Sequence, residues 1–343
     1  MKVALVSPYD IGRFGGVQNQ VTLLAAALRS RGHDAWVVAP GDSATQPVRS
    51  LGKSMNWSVN DSTAPIKLNP VLVGRMRAAV ADADVVHVHE PLMPLVGLAA
   101  RWTGRPLVGT FHADPSSLIR NIYRYFAPLK WHLRSFRSLA AVSETAASAV
   151  KEFGDVHLIP NGIVTSGLPH RDRVPERIAF VGRNDPRKGL DVALAAFPAV
   201  LQARPAAHLV VITPDAVTVG EGVSVYRGID DEAKADLLAS SEIYIAPNRR
   251  GESFGLTVAE GMAAGAACVV SDIPAFAAVV EDAAMRVPPG SANALRDGIV
   301  ELLENRTKLQ ELAAAGHARA EQFSIDKTVE GYLPLYERAA ALP

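Results

Sequence analysis

Cysteine is almost missing from this chain of 343 residues: Cys268 stands alone, inside the apolar run Ala266-Ala267-Cys268-Val269-Val270. An internal disulfide is therefore excluded, and the setting marks a buried thiol rather than a nucleophile. Net charge is missing too. Lys plus Arg and Asp plus Glu number 35 each, so there is no global field to draw nucleic acid, and charged recognition must be local. Long apolar runs are also lacking. No stretch reaches the length of a membrane span, and the opening Met1-Lys2-Val3-Ala4-Leu5-Val6-Ser7-Pro8 is too short for a signal peptide and reads as a first strand. A cytoplasmic protein is the expectation. No Cys/His grouping has metal-ligand spacing. Asp82-Ala83-Asp84 precedes a strand, the wrong end of a sheet for chemistry, so neither a required metal nor any other cofactor is expected. No internal repeat is visible.

What is present is an alternation of short apolar runs and helical stretches. In the first half the strand candidates are Val3 to Ser7, Ala35 to Ala39, Val85 to His89, Leu107 to Phe111, Leu139 to Val142 and His157 to Ile159. Helical stretches such as Val17 to Ser30 and Pro94 to Arg101 lie between them and stop at Gly32 and Gly104. Near-continuous apolar strands linked by helices need both faces covered, which predicts a parallel α/β sheet. Gly162 to Pro175 breaks the pattern and reads as a linker. The alternation restarts with Ile178 to Gly182, Leu209 to Thr213, Val223 to Arg227, Ile243 to Ala246 and Cys268 to Ser271. The expectation is two Rossmann-like, doubly wound domains, 1–168 and 174–325, facing a central cleft, with a last helix (326–343) crossing back to the first.

The loops at the carboxyl ends of these strands carry the chemistry. Gly251-Glu252-Ser253-Phe254-Gly255-Leu256-Thr257-Val258-Ala259-Glu260 places Glu252 on a loop and Glu260 on the helix behind it. The amides around Phe254, Gly255 and Leu256 lie at that helix's N-terminus, where unpaired N–H groups favour a phosphate. Two carboxylates for hydroxyls and amides for a diphosphate suit a nucleotide-sugar. Arg183-Asn184-Asp185-Pro186-Arg187-Lys188-Gly189 could grip a diphosphate from two sides through Arg183 and Lys188 and steady a phosphate leaving group; a solvated basic turn is the bland alternative. In the loop Tyr9-Asp10-Ile11-Gly12-Arg13-Phe14-Gly15-Gly16, Gly15 and Gly16 let backbone approach a ligand, although a tight turn would read the same. The glycine spacing fails the dinucleotide fingerprint, which argues against a nicotinamide dehydrogenase. His112 leads from its strand into a polar loop on the ligand side. From Pro115 to Ser143 no acid occurs, while Arg120, Arg124, Lys130, Arg134 and Arg137 alternate with Tyr123, Tyr125, Phe126, Trp131 and Phe136. Such a segment is either a helix with a solvated basic face or a surface for anionic lipid or a phosphorylated acceptor.

Together these loops resemble the retaining, nucleotide-sugar-dependent glycosyltransferases of family 4, with the two-domain GT-B fold. The likeness runs through Ser7-Pro8-Tyr9-Asp10 with Gly15-Gly16-Val17-Gln18, His87-Val88-His89-Glu90-Pro91, Thr110-Phe111-His112, Ile159-Pro160-Asn161-Gly162, Pro186-Arg187-Lys188-Gly189, Asp230-Asp231-Glu232-Ala233-Lys234 and the Glu252 to Glu260 block. It is nearest to the actinobacterial branch that mannosylates phosphatidylinositol. The resemblance implies that Gly15, Gly16, Arg183 and Lys188 hold the donor diphosphate, that Glu260 holds the ribose, and that Glu252 with Ser253 and the Phe254, Gly255 and Leu256 backbone holds the sugar. His112 would sit against the sugar, and Ile229 and Lys234 would border the base. Tyr9, Asp10, Glu90, Arg120 and Arg124 are candidates for the acceptor. The leaving phosphate would assist the acceptor on its own face. The implied function is transfer of a hexose, mannose from GDP-mannose, to a hydroxyl of a lipid-linked or small phosphorylated acceptor such as phosphatidylinositol, with peripheral contact to the inner membrane surface. A UDP-sugar-dependent member of the family acting elsewhere, and an inactive nucleotide-sugar-binding protein, remain as alternatives.

Overall fold

The computed structural model describes residues 1–13, 15–41, 47–52, 58–59, 62–63, 70–115 and 117–341. Its contacts separate two units, Met1–Gly162 together with Ile325–Pro343, and Ile163–Ser324. The chain changes unit within the expected linker, but earlier than the 168 boundary. Ile163 bridges to Ser324 and donates its amide to the Phe323 carbonyl at 2.8 Å, which ties it to the second unit.

In the first unit, β1 (Lys2–Val6), β2 (Asp34–Ala39), β3 (Val48–Ser50), β6 (Val85–His89), β7 (Leu107–Phe111), β8 (Phe136–Ala141) and β9 (Val156–Leu158) form one parallel sheet ordered β3-β2-β1-β6-β7-β8-β9. A two-residue hairpin of β4 (Ser58–Val59) and β5 (Ser62–Thr63) stands outside it. The connecting helices are α1 (Gly16–Ser30), α2 (Pro70–Ala79), α3 (Val96–Arg101), α4 (Ser117–Tyr125), α5 (Ala127–Leu133) and α6 (Glu144–Ala147). The basic, aromatic-rich segment is thus two helices broken at Phe126, which caps α5, with Pro128 in its first turn, and Phe136 already belongs to β8. The C-terminal helix α13 (Ile325–Ala341) returns to this unit. Its Val329, Tyr332, Tyr336 and Ala339 fall at helical spacing and join Val21, Leu24 and Leu28 of α1 over Val3, Leu5, Val37 and Val85 of the sheet. Each Leu or Val fully buried there contributes about 1.5–3 kcal/mol, so α13 is part of the core rather than a tail.

The second unit repeats the plan with β10 (Val174–Val181), β11 (His208–Ile212), β12 (Val223–Tyr226), β13 (Ser241–Ala246), β14 (Ala267–Ser271) and β15 (Met285–Val287), ordered β12-β11-β10-β13-β14-β15. Its helices are α7 (Leu190–Ala203), α8 (Asp231–Ala239), α9 (Leu256–Ala263), α10 (Pro274–Val280), α11 (Ala292–Glu304) and α12 (Arg306–Ala320). In both sheets the first strand is central and the order reverses beside it, between β1 and β6 and between β10 and β13. Ligands of such sheets bind at the carboxyl ends of the strands at that reversal.

Candidate active site

In the second unit the loops leaving β10 and β13 meet at the reversal point. Lys188 Nζ lies 2.7 Å from Glu252 Oε2, and Asn248 Nδ2 donates to the same oxygen at 3.0 Å. Of the three cations in the first loop, Arg187 is committed to Asp185 at 2.5 Å. Arg187 hydrogen bonds, opposed by burial and helped by nearby Arg183, hold the Asp185 carboxyl below its usual range. Arg183 itself is exposed and makes no hydrogen bond or ion pair among the described residues. Three residues beyond Glu252, Gly255 adopts φ 109 and opens α9 with no side-chain cap. A Cβ there would stand 2.9 Å from the Phe276 ring, so the turn needs glycine and the helix end keeps its amides for a ligand. Leu256 begins α9, whereas the Phe254 side chain is buried with its ring edge-on to Phe323 at 5.4 Å. Phe254 therefore has only its backbone to offer. Glu260, one turn into α9, lies 3.1 Å from Lys234 Nζ, and Asp231 lies 3.3 Å from the same nitrogen. Burial would lower the Lys234 pKa, but these two carboxylates outweigh it and hold it above its usual value. Ile229 is half-buried just before Asp230, the residue that caps α8. Ser253 is half-buried on the same loop as Glu252.

In the first unit the corresponding reversal brings together the ends of β1, β6 and β7. His112 follows β7, and its Nε2 shares a 2.7 Å hydrogen bond with Nδ1 of His89, the last residue of β6. Glu90, in the left-handed region at φ 53, accepts the amides of His112 and Ala113 at 2.7 and 2.6 Å. Burial pushes the Glu90 carboxyl up to about 7 despite those two hydrogen bonds. Burial holds His112 down to about 4, against a hydrogen bond between its ring and the Asn161 side chain that favours the protonated form. Behind them, His87 is fixed between Tyr336 Oη at 2.8 Å and Thr110 Oγ1 at 2.7 Å, and Thr110 also meets Tyr332 Oη at 2.9 Å. Burial, then the nearby His112, holds His87 down to about 3.

The remaining candidates belong to the same unit. Gly15 is extended before α1, and a Cβ on it would fall 2.3 Å from Gln18 Oε1, whose amide nitrogen donates to the Asp10 carbonyl at 3.3 Å. Gly16 is the first residue of α1, which likewise has no side-chain cap. Tyr9 is buried; burial first, then Glu90, raises its phenol pKa. The Asp10 carboxylate accepts the Gly12 amide at 3.0 Å. Arg120 is tied to the Pro115 carbonyl, to Ser148 and to Asp114, so it braces its loop. The Arg124 side chain lies outside the described residues. Reading the sequence missed the roles of His89, Asn248, Asn161 and the two tyrosines of α13. The alternation Val85-Val86-His87-Val88-His89 does put both histidines on one strand face, the one signal that could have singled them out. Among the described residues no group of three or more His, Cys, Asp or Glu could hold a metal ion, and no helix is long and apolar enough to cross a membrane. A groove of about 840 Å³ lined by Gln202, Arg296 and Glu301 lies where α7 and α11 end, at the opposite edge of the sheet from these loops.

Comparison with known proteins identifies the family. The family model described as Glycosyltransferase Family 4 matches residues 14–166, and that described as Glycosyl transferases group 1 matches residues 175–305. A phosphatidyl-myo-inositol mannosyltransferase of Mycobacterium leprae is 31% identical over 99% of this chain and 97% of its own. A GDP-mannose-dependent alpha-mannosyltransferase of Mycolicibacterium smegmatis is 29% identical over 79% of this chain and 80% of its own. Among solved structures, Anabaena HepE in complex with UDP-glucose superposes with a TM-score of 0.76 at 19% identity over 100% of both chains, a likeness of fold alone.

Proposed function

This chain belongs to glycosyltransferase family 4 and has the GT-B fold; from that premise we propose that it moves a mannosyl group from GDP-mannose to a hydroxyl of a phosphorylated, lipid-linked acceptor. Phosphatidylinositol is the acceptor named for its relatives. Transfer proceeds with retention at the anomeric carbon and needs no divalent metal. The observation that carries this reading is the Lys188–Glu252–Asn248 group, set beside an uncapped helix N-terminus and the unengaged Arg183.

Lys188 and Glu252 neutralise each other through their 2.7 Å bridge. Donor binding exchanges that bridge for two contacts: Lys188, with Arg183, takes the diphosphate, and Glu252 takes sugar hydroxyls. Glu260 receives the ribose, Ile229 and Lys234 border the base, and Ser253 with the amides of Phe254, Gly255 and Leu256 lines the sugar and phosphate. Gly15 and Gly16 leave the start of α1 open to the diphosphate. As the bond from the anomeric carbon to phosphate oxygen breaks, negative charge grows on the departing phosphate, where the two cations and the α9 dipole stabilise it. The acceptor hydroxyl enters on the face that the phosphate leaves and gives its proton to a phosphate oxygen, so the protein supplies no nucleophile. His112 stands against the sugar. Tyr9, Asp10 and Glu90 border the acceptor.

Trp102, Tyr125, Phe126 and Trp131 are all more than half exposed, and the Arg101 guanidinium stacks over Trp131 at 3.2 Å. Exposed aromatics beside cations suit peripheral contact with an anionic lipid surface.

The test has two arms. In a thermal-shift series GDP should stabilise the chain more than UDP or ADP; a ligand at 100 times its dissociation constant adds about 2.7 kcal/mol. Proton NMR of the product from GDP-mannose, with chelator throughout, should show the alpha linkage. Stabilisation by UDP alone would favour a UDP-sugar donor, and an inverted linkage or chelator-sensitive transfer would overturn the mechanism.

A further inference from the structure

We propose that His89 is a positioning residue whose hydrogen bond to His112 fixes the tautomer and the direction of the His112 imidazole. The inference deepens the proposed function, which places His112 against the sugar, and rests on it only for the effect on turnover.

One proton decides the arrangement of the two rings. His89 is 1% exposed and His112 8%, and both imidazoles are neutral at physiological pH because burial disfavours the cation. A 2.7 Å contact between His89 Nδ1 and His112 Nε2 then requires a single proton between them. If His112 donated it, the proton of His89 would sit on its own Nε2, which is buried with no partner. A buried N–H without an acceptor is a rare defect in folded proteins. If His89 donates, its Nε2 carries no hydrogen, and the proton of His112 moves to Nδ1, while the Asn161 side chain hydrogen-bonds the same ring. The second arrangement satisfies every N–H, so His112 is the Nδ1–H tautomer with Nε2 occupied as an acceptor.

Neither ring is free to turn. The His87 ring packs 4.2 Å from that of His89, and His87 is itself clamped by Tyr336 and Thr110. Glu90 fixes the main chain of His112 through two amides, and the left-handed backbone it adopts is held in place by those bonds. The His89-Glu90 pair at the end of β6 therefore holds both the side chain and the backbone of His112. Held in this way, His112 is a fixed neutral group rather than a proton carrier, in keeping with a leaving phosphate that takes the acceptor's proton itself.

The test is nitrogen-15 NMR of the histidine side chains in the full-length labelled chain, with the His112 signals assigned by their loss in His112→Gln. Wild type should show His112 protonated at Nδ1 and bare at Nε2; protonation at Nε2 overturns the proposal. His89→Leu should convert His112 to a tautomer mixture and lower turnover on the order of 10-fold to 100-fold, the usual cost of losing a group that orients a histidine. The donor KM should stay within about threefold, as expected when binding is untouched. His89→Asn, whose amide can donate from the Nδ1 position, should restore the tautomer and most of the turnover. Unchanged tautomer and turnover in His89→Leu would also overturn the proposal. Should that variant fail to fold, the wild-type and His89→Asn spectra decide. Those spectra need no sugar, so absence of transfer would count against the proposed function and leave this inference standing or falling on its own.

Discussion

Lys188 and Glu252 are 64 positions apart in sequence yet share one hydrogen bond, and their partial exposure, 34% and 17%, sets what they are for. A bridge in contact with solvent contributes at most about 1 kcal/mol to stability, so replacing either residue should leave the fold standing and show itself in the chemistry. Lys188→Ala and Arg183→Ala are each expected to cut turnover by roughly 100- to 1000-fold, the usual cost of one transition-state electrostatic contact. Glu252→Ala is expected to abolish transfer while GDP affinity stays within a few-fold, because a contact made to the sugar lowers turnover more than it weakens nucleotide binding. Steady-state kinetics and calorimetry on the three purified variants check this. Wild-type turnover in Lys188→Ala and Arg183→Ala, or GDP binding lost in Glu252→Ala, would move these residues out of their assigned roles.

At the scale of elements, the helices after β7 present a group of aromatics to solvent. Tyr125, Phe126 and Trp131 are exposed on and between α4 and α5, while Phe136, from the same aromatic run, is buried in β8. Binding to vesicles of anionic lipid is expected, weakening with salt, and a chain carrying Trp131→Ser, Lys130→Ser and Arg134→Ser should lose most of it, at about 1 kcal/mol per cation near the surface. Co-sedimentation with anionic and neutral vesicles decides, and equal retention of wild type and variant by both would return the segment to an ordinary pair of helices. The central strands were legible in the sequence because buried parallel strands read as near-continuous apolar runs, as in Val3-Ala4-Leu5-Val6. The edge strands β3 and β15 were not: Val48-Arg49-Ser50 and Met285-Arg286-Val287 are three residues long with little apolar signal. The loops holding Glu252, Lys188 and His112 were legible for a related reason, since strand ends at a reversal point collect charge and glycine. What the sequence could not show was partnership. That His89 meets His112 depends on β6 and β7 being neighbours, in a register that sets His89 against Thr110, and α13 carries nothing local to say that Tyr332 and Tyr336 close the back of that group.

At the scale of the whole molecule, α13 makes the first unit a closed core whose centre is a set of buried titratable groups, and this predicts how stability depends on pH. His87, His89 and His112 all have folded pKa values below the usual 6.5, chiefly through burial. For a base with a depressed pKa, the unfolded chain binds the proton first, so stability is full above about 6.5 and is lost as pH falls. Glu90 acts in the opposite sense. Its folded pKa of about 7 lies above the usual 4.5, so between those values the folded chain holds a proton that the unfolded chain has released, and stability falls as pH rises. From about pH 6.5 down to 4.5, the protons taken up by unfolded His87, His89 and His112, joined by His132, which burial also holds below its usual value, stand against one held by folded Glu90, a net of at least two. Each net proton changes the folding constant about tenfold per pH unit, so acid should destabilise the first unit steeply across this window. Urea midpoints measured at pH 7.5, 6 and 5 should fall monotonically. Glu90→Gln keeps an acceptor for the His112 and Ala113 amides but removes the opposing term, so the decline should steepen. A midpoint that stays flat from pH 7.5 to 5 would mean that the histidines are not held neutral by burial, and a shallower decline in Glu90→Gln would mean that the Glu90 carboxyl is not raised by the fold.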